Sequence, residues 1–184
     1  MNTWFTADTH FGHTNIIKYT KRPFSNVKEM DEALIANWNS RVRPGDDVYH
    51  LGDFALNNPS ECDNILDRLN GNIHLIRGNH EKSAEACADR FVWVKDYHEL
   101  LVEDKDAHRG QQSIVLFHYA MRVWNASHHG NWSLYGHSHG TLPDEPTSRS
   151  IDVGVDVHSL SPISYREVKA IMATKQWVSP FAGE

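Results

Sequence analysis

The sequence predicts an α/β fold built on a largely buried mixed sheet. Short apolar runs, which are typical of buried strands, alternate along the chain with segments whose apolar residues recur at helical spacing. Five of the strand-like runs end at clusters of aspartate, histidine and asparagine. The chain of 184 residues contains no internal repeat or linker, so we expect a single domain over residues 1–184.

The first half of the chain is predicted to contain three strands and three helices. Met30, Leu34 and Trp38 recur at i, i+4 and i+8 and indicate the longest helix of this half. Pro59 directly after Asn58 is typical of a helix start. In chain order, the elements are a strand over residues 2–8, a short helix near Asn15 to Tyr19, a helix capped by Ser25 that runs to about Ser40, a strand over Val48–Leu51, a helix from Asn58 that ends before Gly71, and a strand over Ile73–Ile76.

The second half is predicted to contain a short helix, five strands and a closing helix. Residues 119–131 lack a strong periodicity, and we expect them to form the longest loop. Val168 and Ile171 should face the core from the closing helix. In chain order, the elements are a helix over Glu81–Ala88, strands over Phe91–Val94, Glu99–Val102, Ser113–Phe117, Trp132–Tyr135 and Ser150–Val157, and a helix from Ser164 to about Thr174.

The ends of five predicted strands carry the candidate functional residues. Ligands of open α/β sheets bind beyond the carboxyl ends of the strands, so residues that are far apart in sequence can converge there. A catalytic zinc ion takes about three protein ligands, and a larger set therefore suits two ions that share a carboxylate. Asp53 is the best candidate for the shared ligand, because it is the only acid at its strand end. The candidate ligands are Asp8, His10, Asp53, Asn79, His118, His137 and His139.

The chemistry of these ligands indicates which ions they would bind. Imidazole, carboxylate and carboxamide groups without a thiolate select first-row divalent ions rather than calcium. We expect two divalent ions, with manganese first among the candidates and iron, zinc, nickel and cobalt as alternatives. Taken singly, Asp8 or Asp53 could be a turn or helix-capping residue, and only the five clusters together favour metal binding.

Sequence blocks around the candidate ligands occur in a characteristic order. The blocks are Asp8-Thr9-His10, Gly52-Asp53, Gly78-Asn79-His80-Glu81, His118 and Gly136-His137-Ser138-His139. In order and spacing they resemble the calcineurin-like metallophosphoesterases. The resemblance implies two facing mixed β-sheets flanked by helices, which form a four-layer sandwich. It also implies one metal ion held by Asp8, His10, Asp53 and His139, and a second held by Asp53, Asn79, His118 and His137.

The same resemblance implies a role for His80, which would contact the substrate phosphate rather than a metal ion. A histidine can donate a proton to a leaving oxygen near neutral pH. We therefore assign catalytic roles to His80, Asp53 and Asn79. Glu81 departs from the family pattern, which commonly has an aspartate here that orients the histidine, so the geometry of His80 stays open at this stage.

The resulting hypothesis is hydrolysis of phosphate esters by a hydroxide that bridges two divalent ions. The chain has no room for a separate cap domain, so we expect a shallow, open site. Such a site favours phosphodiesters, including nucleotide-derived or cyclic ones. A phosphomonoesterase or a nuclease with the same site is an alternative, and so is a binding scaffold without catalysis, although such relatives usually lose ligands or the histidine.

Three further residues are candidate contacts for the substrate. His13 follows His10 by three residues and could either face the cleft or cap the next helix. Arg22 and Arg122 lie in predicted loops near the motif blocks, where a guanidinium could bind phosphate through two hydrogen bonds. Either arginine could instead be a solvated surface charge.

Composition limits the partners that we expect. The chain has 18 basic and 24 acidic residues and a formal charge of −6, which argues against stable binding of nucleic acid and favours a small phosphate ester as the substrate. No run approaches the roughly 18 apolar residues of a membrane span. The amino-terminal residues do not have the pattern of a signal peptide, and Cys62 and Cys87 do not form a disulfide framework. We therefore expect a cytoplasmic protein that does not bind membranes, and its oligomeric state stays open.

Overall fold

The structure, a computed structural model, describes residues 2–181 and contains two β-sheets. The first sheet consists of β1 (Thr3–Thr6), β2 (Asp47–His50), β3 (Asn72–Ile76), β4 (Trp93–Lys95) and β9 (Ile163–Ser164). The second sheet consists of β5 (Tyr97–Glu103), β6 (Gln111–Phe117), β7 (Trp132–Tyr135) and β8 (Ser150–Asp152). Strands β1 to β4 are parallel with β9 antiparallel at the edge, and β6 to β8 are parallel with β5 antiparallel. Both sheets are therefore mixed, as predicted.

Two apolar clusters hold the layers together. One cluster lies between the two sheets and includes Phe5, Ile114 and Leu134. The other lies between the outer face of the first sheet and the helices that cover it, and it includes Trp38 and Phe54. The helices on this side are α1 (Ile16–Tyr19), α2 (Val27–Arg41), α3 (Pro59–Leu66) and α4 (Lys82–Glu85), whereas α5 (Tyr165–Thr174) contributes Val168 and Met172 to the first cluster.

Strands of the first sheet are buried on both faces. In β1, Trp4 belongs to the helix-facing cluster and the next residue, Phe5, to the cluster between the sheets. In β3, Leu75 and Ile76 divide in the same way. Successive side chains of a strand point to opposite faces, so a strand between two apolar layers reads as a continuous apolar run. This is why the sequence pattern identified these strands.

Several helix signals in the sequence are confirmed in detail. Asn58 caps α3 and forms a capping box with Glu61, because each side chain accepts a hydrogen bond from the backbone N–H of the other residue. Ser164 caps α5. Val168 is buried as predicted, whereas Ile171 is half-buried. The prediction that Ser25 caps α2 is wrong, since Asn26 accepts the N–H of Glu29 and the helix begins at Val27.

The last predicted strand is shorter in the structure than in the prediction over Ser150–Val157. Strand β8 ends at Asp152, and Val155–Val157 form a 3-10 helix. The N–H of Val155 binds the carbonyl of Ala7, which connects this turn to the end of β1. Strand β9 has two residues and was not predicted. Among the described residues, none of the helices has the length and apolar character that crossing a membrane requires.

Candidate metal and catalytic site

The candidate ligands lie in loops at the carboxyl ends of the strands, and five of them have a backbone that non-glycine residues rarely adopt. Their φ angles are positive, at 57° for Asp8, 51° for His10, 57° for Asp53, 68° for His137 and 48° for His139. A left-handed backbone costs an L-residue roughly 1–2 kcal/mol. Such strain persists where the surrounding structure imposes it, and it concentrates at functional sites.

The first group of candidate ligands consists of Asp8, His10 and His139. Each offers a donor atom, and these atoms lie within 4.8 Å of one another. The Asp8 Oδ1 and His10 Nε2 atoms are buried and have no hydrogen-bond partner among the described residues. The other oxygen, Asp8 Oδ2, accepts the backbone N–H of His137 at 2.8 Å, so the carboxylate is held in place. Buried polar atoms without partners are costly, and a bound cation would satisfy both of them.

The second group consists of Asp53, His118 and His137, whose donor atoms also lie within 4.8 Å of one another. The Nδ1 of His118 donates to the Leu51 carbonyl at 2.7 Å, because a carbonyl can only accept. Its Nε2 lies 3.2 Å from the amide oxygen of Asn79. In a neutral imidazole this Nε2 carries a lone pair, so two acceptors face each other. A cation between them resolves this arrangement and would take Asn79 as a further ligand.

Asp53 lies between the two groups. Its Oδ2 is 3.5 Å from His10 Nε2 in the first group, and its Oδ1 is 3.6 Å from His118 Nε2 in the second. Oδ1 also accepts the backbone N–H of His80 at 2.9 Å. One carboxylate therefore reaches both groups, at the place that the sequence predicts for a shared ligand.

Burial sets the protonation of the site. Desolvation raises the pKa of Asp8 well above its usual range, and the charges of Asp152 and Asp53 raise it further. Desolvation also lowers the pKa of His10 to about 2, with a smaller contribution from His139. The imidazole of His10 is therefore neutral at physiological pH, which is the form that binds metal ions.

Arg22 supports the first group from behind. Its guanidinium binds Asp156 through Nε at 2.8 Å and Nη2 at 2.9 Å, and it donates to the carbonyls of Asp8 and Thr9. Asp156 in turn accepts from Nδ1 of His139 at 2.7 Å. Although burial alone would raise the pKa of Asp156, the hydrogen bonds from Arg22 and His139 lower it to about 2. Asp156 is thus an anion that orients His139, which leaves its Nε2 for a metal ion.

The structure contradicts the prediction that Arg22 binds substrate. Its side chain is buried, and its N–H groups are engaged by Asp156 and by backbone carbonyls. Arg122 is exposed on the long loop and does not line the cleft that contains the candidate ligands. Neither guanidinium is therefore placed to contact a phosphate at this site.

Glu81 holds two loops of the site together. Its Oε1 accepts the backbone N–H groups of Phe54 and Gly78, both at 3.2 Å. Burial raises the pKa of Glu81 to about 8. The longer side chain that departs from the family pattern therefore binds the backbone of two adjacent loops, and among the described residues its hydrogen bonds do not involve the His80 ring.

Asp152 has a similar role on the loop that carries the last two histidines. Its Oδ2 accepts from Ser138 Oγ at 2.9 Å and from the N–H of Gly140 at 3.2 Å. Its Oδ1 accepts the N–H of Gly154 at 2.7 Å. These bonds fix the loop that brings His137 and His139 to opposite groups of ligands.

The candidate ligands open into a cleft of about 800 Å³. His80 is exposed at this cleft, and its ring centroid lies 5.7 Å from that of His10 and 6.3 Å from that of His13. His13 also lines the cleft, whereas the N-cap position of α1 is occupied by Asn15. The cleft is lined by His10, His13, Ile16, Tyr19, Thr20, Lys21, Asp53, Leu56, Asn79, His80, His137, Ser138, His139 and Thr141.

Sequence reasoning missed several residues of the site, among them Asp152, Asp156, Lys21 and Tyr19. Asp156 was recognised only as part of a strand-like block, and nothing local indicates that its partner is Arg22, which is 134 residues away. Lys21, not Arg22, is the basic residue of that loop that lines the cleft. Tyr19 lines it as well, at the end of a helix too short to show a periodicity.

Two mixed sheets with clustered histidine and carboxylate donors at their strand ends define a metal-binding protein of the α/β class. The family model described as the calcineurin-like phosphoesterase superfamily domain matches residues 1–152. The chain therefore belongs to the calcineurin-like phosphoesterase superfamily. This agrees with the family that the sequence blocks resemble.

Individual relatives extend the similarity to most of the chain. An uncharacterized protein of Methanocaldococcus jannaschii, MJ1445, is 38% identical over an alignment of 168 residues, and the match covers 88% of this chain and 85% of that protein. The Gene 66 protein of Mycobacterium phage L5 is 26% identical over an alignment of 180 residues, and the match covers 84% of this chain and 86% of that protein. The crystal structure of AQ665, a protein of unknown function from Aquifex aeolicus, is similar with a TM-score of 0.66 and 26% identity, over 92% of this chain and 98% of that chain.

Proposed function

We propose that this protein hydrolyses phosphate esters with a pair of divalent cations. Asp8, His10 and His139 would hold one cation, and Asn79, His118 and His137 the other. Asp53 would be shared between them. The observation that carries the proposal is the position of Asp53, whose two oxygens lie 3.5 and 3.6 Å from a histidine of each group.

The donor set fits first-row divalent ions. It combines imidazole nitrogens with carboxylate and carboxamide oxygens, and it contains no thiolate. Manganese is our first candidate, with iron, zinc, nickel and cobalt as alternatives. The two buried atoms without partners, Asp8 Oδ1 and His10 Nε2, support cation binding independently of the family.

The residues around the cations would position the substrate and supply a proton to its leaving group. Bound divalent cations lower the pKa of a coordinated water and neutralise charge on phosphoryl oxygens. In the overall reaction, the water oxygen bonds to phosphorus and gives up a proton, the ester P–O bond breaks, and the departing oxygen takes up a proton. His80 would donate a proton to the departing oxygen, because it is exposed at the cleft while its backbone N–H is anchored on Asp53. The amide of Asn79 would help to orient the phosphate.

The open cleft supports a preference for diesters over monoesters. It has a volume of about 800 Å³, and among the described residues no separate cap closes over it. We therefore propose small phosphodiesters, nucleotide-derived or cyclic, as substrates. The two free buried cysteines support a reducing compartment, and we propose the cytoplasm as the location.

The test is an assay of metal-free protein that is reloaded with each candidate ion. Bis(p-nitrophenyl) phosphate and p-nitrophenyl phosphate serve as the diester and the monoester. We expect at least a tenfold higher kcat/KM for the diester, with manganese among the active ions. A protein that binds two ions but hydrolyses neither ester would be a binding scaffold, and this result would contradict the proposal.

Variants separate metal binding from catalysis. Asp53→Ala should lose bound metal and activity together, since both cations depend on this carboxylate. His80→Ala should retain the metal while its turnover of a diester with an alkyl alcohol as the leaving group falls about 100-fold or more, which is the typical contribution of a proton donor. The fall should be smaller for p-nitrophenyl esters, because p-nitrophenolate leaves readily without a proton. His129→Ala is the control, because His129 is exposed and lies outside the cleft. Activity of Asp53→Ala after metal stripping would refute the assignment.

A further inference from the structure

The cleft extends beyond the candidate ligands to an outer wall, which is formed by Tyr19 and Leu56. Tyr19 on α1 is 71% exposed, and Leu56, in the loop after Asp53, is 41% exposed. Exposed apolar side chains are common on protein surfaces. These two, however, line the same cleft as His80. A substrate whose phosphate lies at the candidate ligands therefore has an apolar surface within the same cavity.

Aromatic rings connect this wall to the candidate ligands. The centroids of His10 and His13 are 5.3 Å apart, and those of His13 and Tyr19 are 6.2 Å apart with an angle of 76° between the rings. An edge-to-face contact of this kind is favourable and orients both rings. Tyr19 is thus held in place although most of its surface is in contact with water.

Lys21 adds a positive charge to the same wall. It is exposed, it lines the cleft, and within residues 2–181 no carboxylate lies within 4 Å of its ammonium group. Its φ of 56° lies in the left-handed region that glycine or asparagine favours at a helix end. The backbone therefore gives no reason for a lysine at this position.

We propose that Tyr19, Leu56 and Lys21 form a second binding surface for the substrate. Tyr19 and Leu56 bind a flat aromatic ester group, such as a nucleobase, and Lys21 attracts the anionic phosphodiester. This inference rests on the proposed function, and it narrows the substrate to nucleotide-type diesters. Stacking of a base on one aromatic side chain contributes about 5- to 150-fold in affinity.

Two diesters with the same leaving group test the aromatic part of the surface. They are the p-nitrophenyl ester of thymidine 5′-monophosphate and methyl p-nitrophenyl phosphate, which carry equal charge and differ in the nucleoside. Tyr19→Ala should lower kcat/KM for the nucleotide ester about tenfold. It should leave kcat/KM for the methyl ester within about twofold. Tyr97→Ala is the matched control, because Tyr97 is an exposed tyrosine outside the cleft.

Substitutions of Lys21 should change kcat/KM in a different way. Lys21→Asn removes the charge and keeps a residue that tolerates the left-handed backbone. It should lower kcat/KM for both esters by the same factor, and the loss should shrink as salt screens the charge. Lys21→Arg should restore activity. Lys18→Asn is the control, since Lys18 is exposed on α1, three residues before Lys21, and does not line the cleft.

Equilibrium binding provides a readout that does not depend on turnover. By calorimetry, wild-type protein should bind thymidine 5′-monophosphate about tenfold more tightly than inorganic phosphate, and Tyr19→Ala should remove this preference. Equal losses of kcat/KM for both esters in Tyr19→Ala, or no preference of the wild type for the nucleotide, would overturn the inference. If the wild type hydrolyses neither ester but keeps a preference that depends on Tyr19, the hydrolase proposal fails and the binding surface stands.

Discussion

The side chain of Asp156 accepts two hydrogen bonds from Arg22 and one from His139. Of these two partners, only His139 lines the cleft. The effect of Asp156 on the site is therefore indirect. Residues that hold a metal-binding histidine commonly change metal affinity by 10- to 100-fold when they are replaced. The Arg22–Asp156 pair is also buried, so removal of one partner leaves a charge without compensation.

Asp156→Asn should weaken metal binding and lower stability at the same time. We expect a 10- to 100-fold loss of manganese affinity and a decrease of about 3 kcal/mol in the free energy of unfolding. Metal titration and urea denaturation measure the two effects. Glu32→Gln is the control, because Glu32 pairs with Arg68 at the surface, and it should change neither quantity appreciably. Unchanged metal affinity in Asp156→Asn would contradict the role given to Asp156.

His50 predicts a pH dependence of stability. Its imidazole is fully buried against Thr9, and burial lowers its pKa to about 3. In the unfolded chain its pKa is about 6.5, so the unfolded state binds the proton first and stability falls as the pH drops below about 6.5. For the metal-free protein, His50→Gln should make the unfolding free energy less dependent on pH between 6.5 and 5. Identical slopes for the two proteins in urea denaturation would count against this account.

At the scale of residues, the sequence predicts where the candidate ligands lie better than it predicts the residues that support them. Asp53 and His118 follow recognisable strands, and the position of a side chain at a strand end is a local property. The role of Arg22 depends on Asp156, which lies 134 residues away. A charged residue in a loop looks the same in sequence whether it binds a substrate or a buried partner.

At the scale of elements, the loops after the strands determine the site. A Cβ atom added to Gly78 would lie 2.2 Å from Asp53 Oδ1, and one added to Gly52 would lie 2.5 Å from His118 Nδ1. Both distances are too short for even the Cβ atom of a side chain. Glycine at both positions is therefore required for the loops to approach the candidate ligands closely.

Gly78→Ala should displace the Asp53 carboxylate. We expect manganese affinity to fall about 10-fold or more, since this carboxylate serves both groups of ligands. Gly45→Ala is the matched control, because a Cβ at Gly45 would meet open space. It should bind manganese like the wild type. Manganese titration of both variants and of the wild type measures these affinities. If Gly78→Ala binds manganese as tightly as the wild type, the loop tolerates the methyl group and the prediction is wrong.

Secondary-structure elements can be predicted where their signals are local in the sequence. Strands of the first sheet were recognised because both of their faces are buried, and α3 because Asn58 and Pro59 are local signals. Strand β9 has two residues, and its pairing with β1 exists only in the folded chain. The end of β8 was misplaced because Val153 and Val155 continue an apolar run while the backbone turns toward Ala7.

At the scale of the whole molecule, the site connects the two sheets. Asp8, His10, Asp53 and Asn79 follow strands of the first sheet, and His118, His137 and His139 follow strands of the second. The N–H of His137 binds Asp8, and Nδ1 of His118 binds the Leu51 carbonyl, so hydrogen bonds already cross from one sheet to the other. Cations bound at this junction would stabilise the contact between the sheets.

Metal ions should therefore raise the thermal stability of the protein. A cation at 100 times its Kd adds about 2.7 kcal/mol per site, and each kcal/mol raises the Tm of a domain of this size by about 2–4 °C. Two sites predict an increase of about 10 °C or more between chelator-treated and manganese-loaded protein. Asp53→Asn should show a much smaller increase, whereas His129→Ala should behave like the wild type. An equal Tm with and without manganese would contradict metal binding at the junction.

Anomalous diffraction from crystals of the manganese-loaded protein tests the central claim most directly. Two peaks should appear about 3.5–4 Å apart, one beside Asp8, His10 and His139 and the other beside Asn79, His118 and His137, with Asp53 between them. A single peak, or peaks that Asp53 does not contact, would contradict the account of a shared carboxylate.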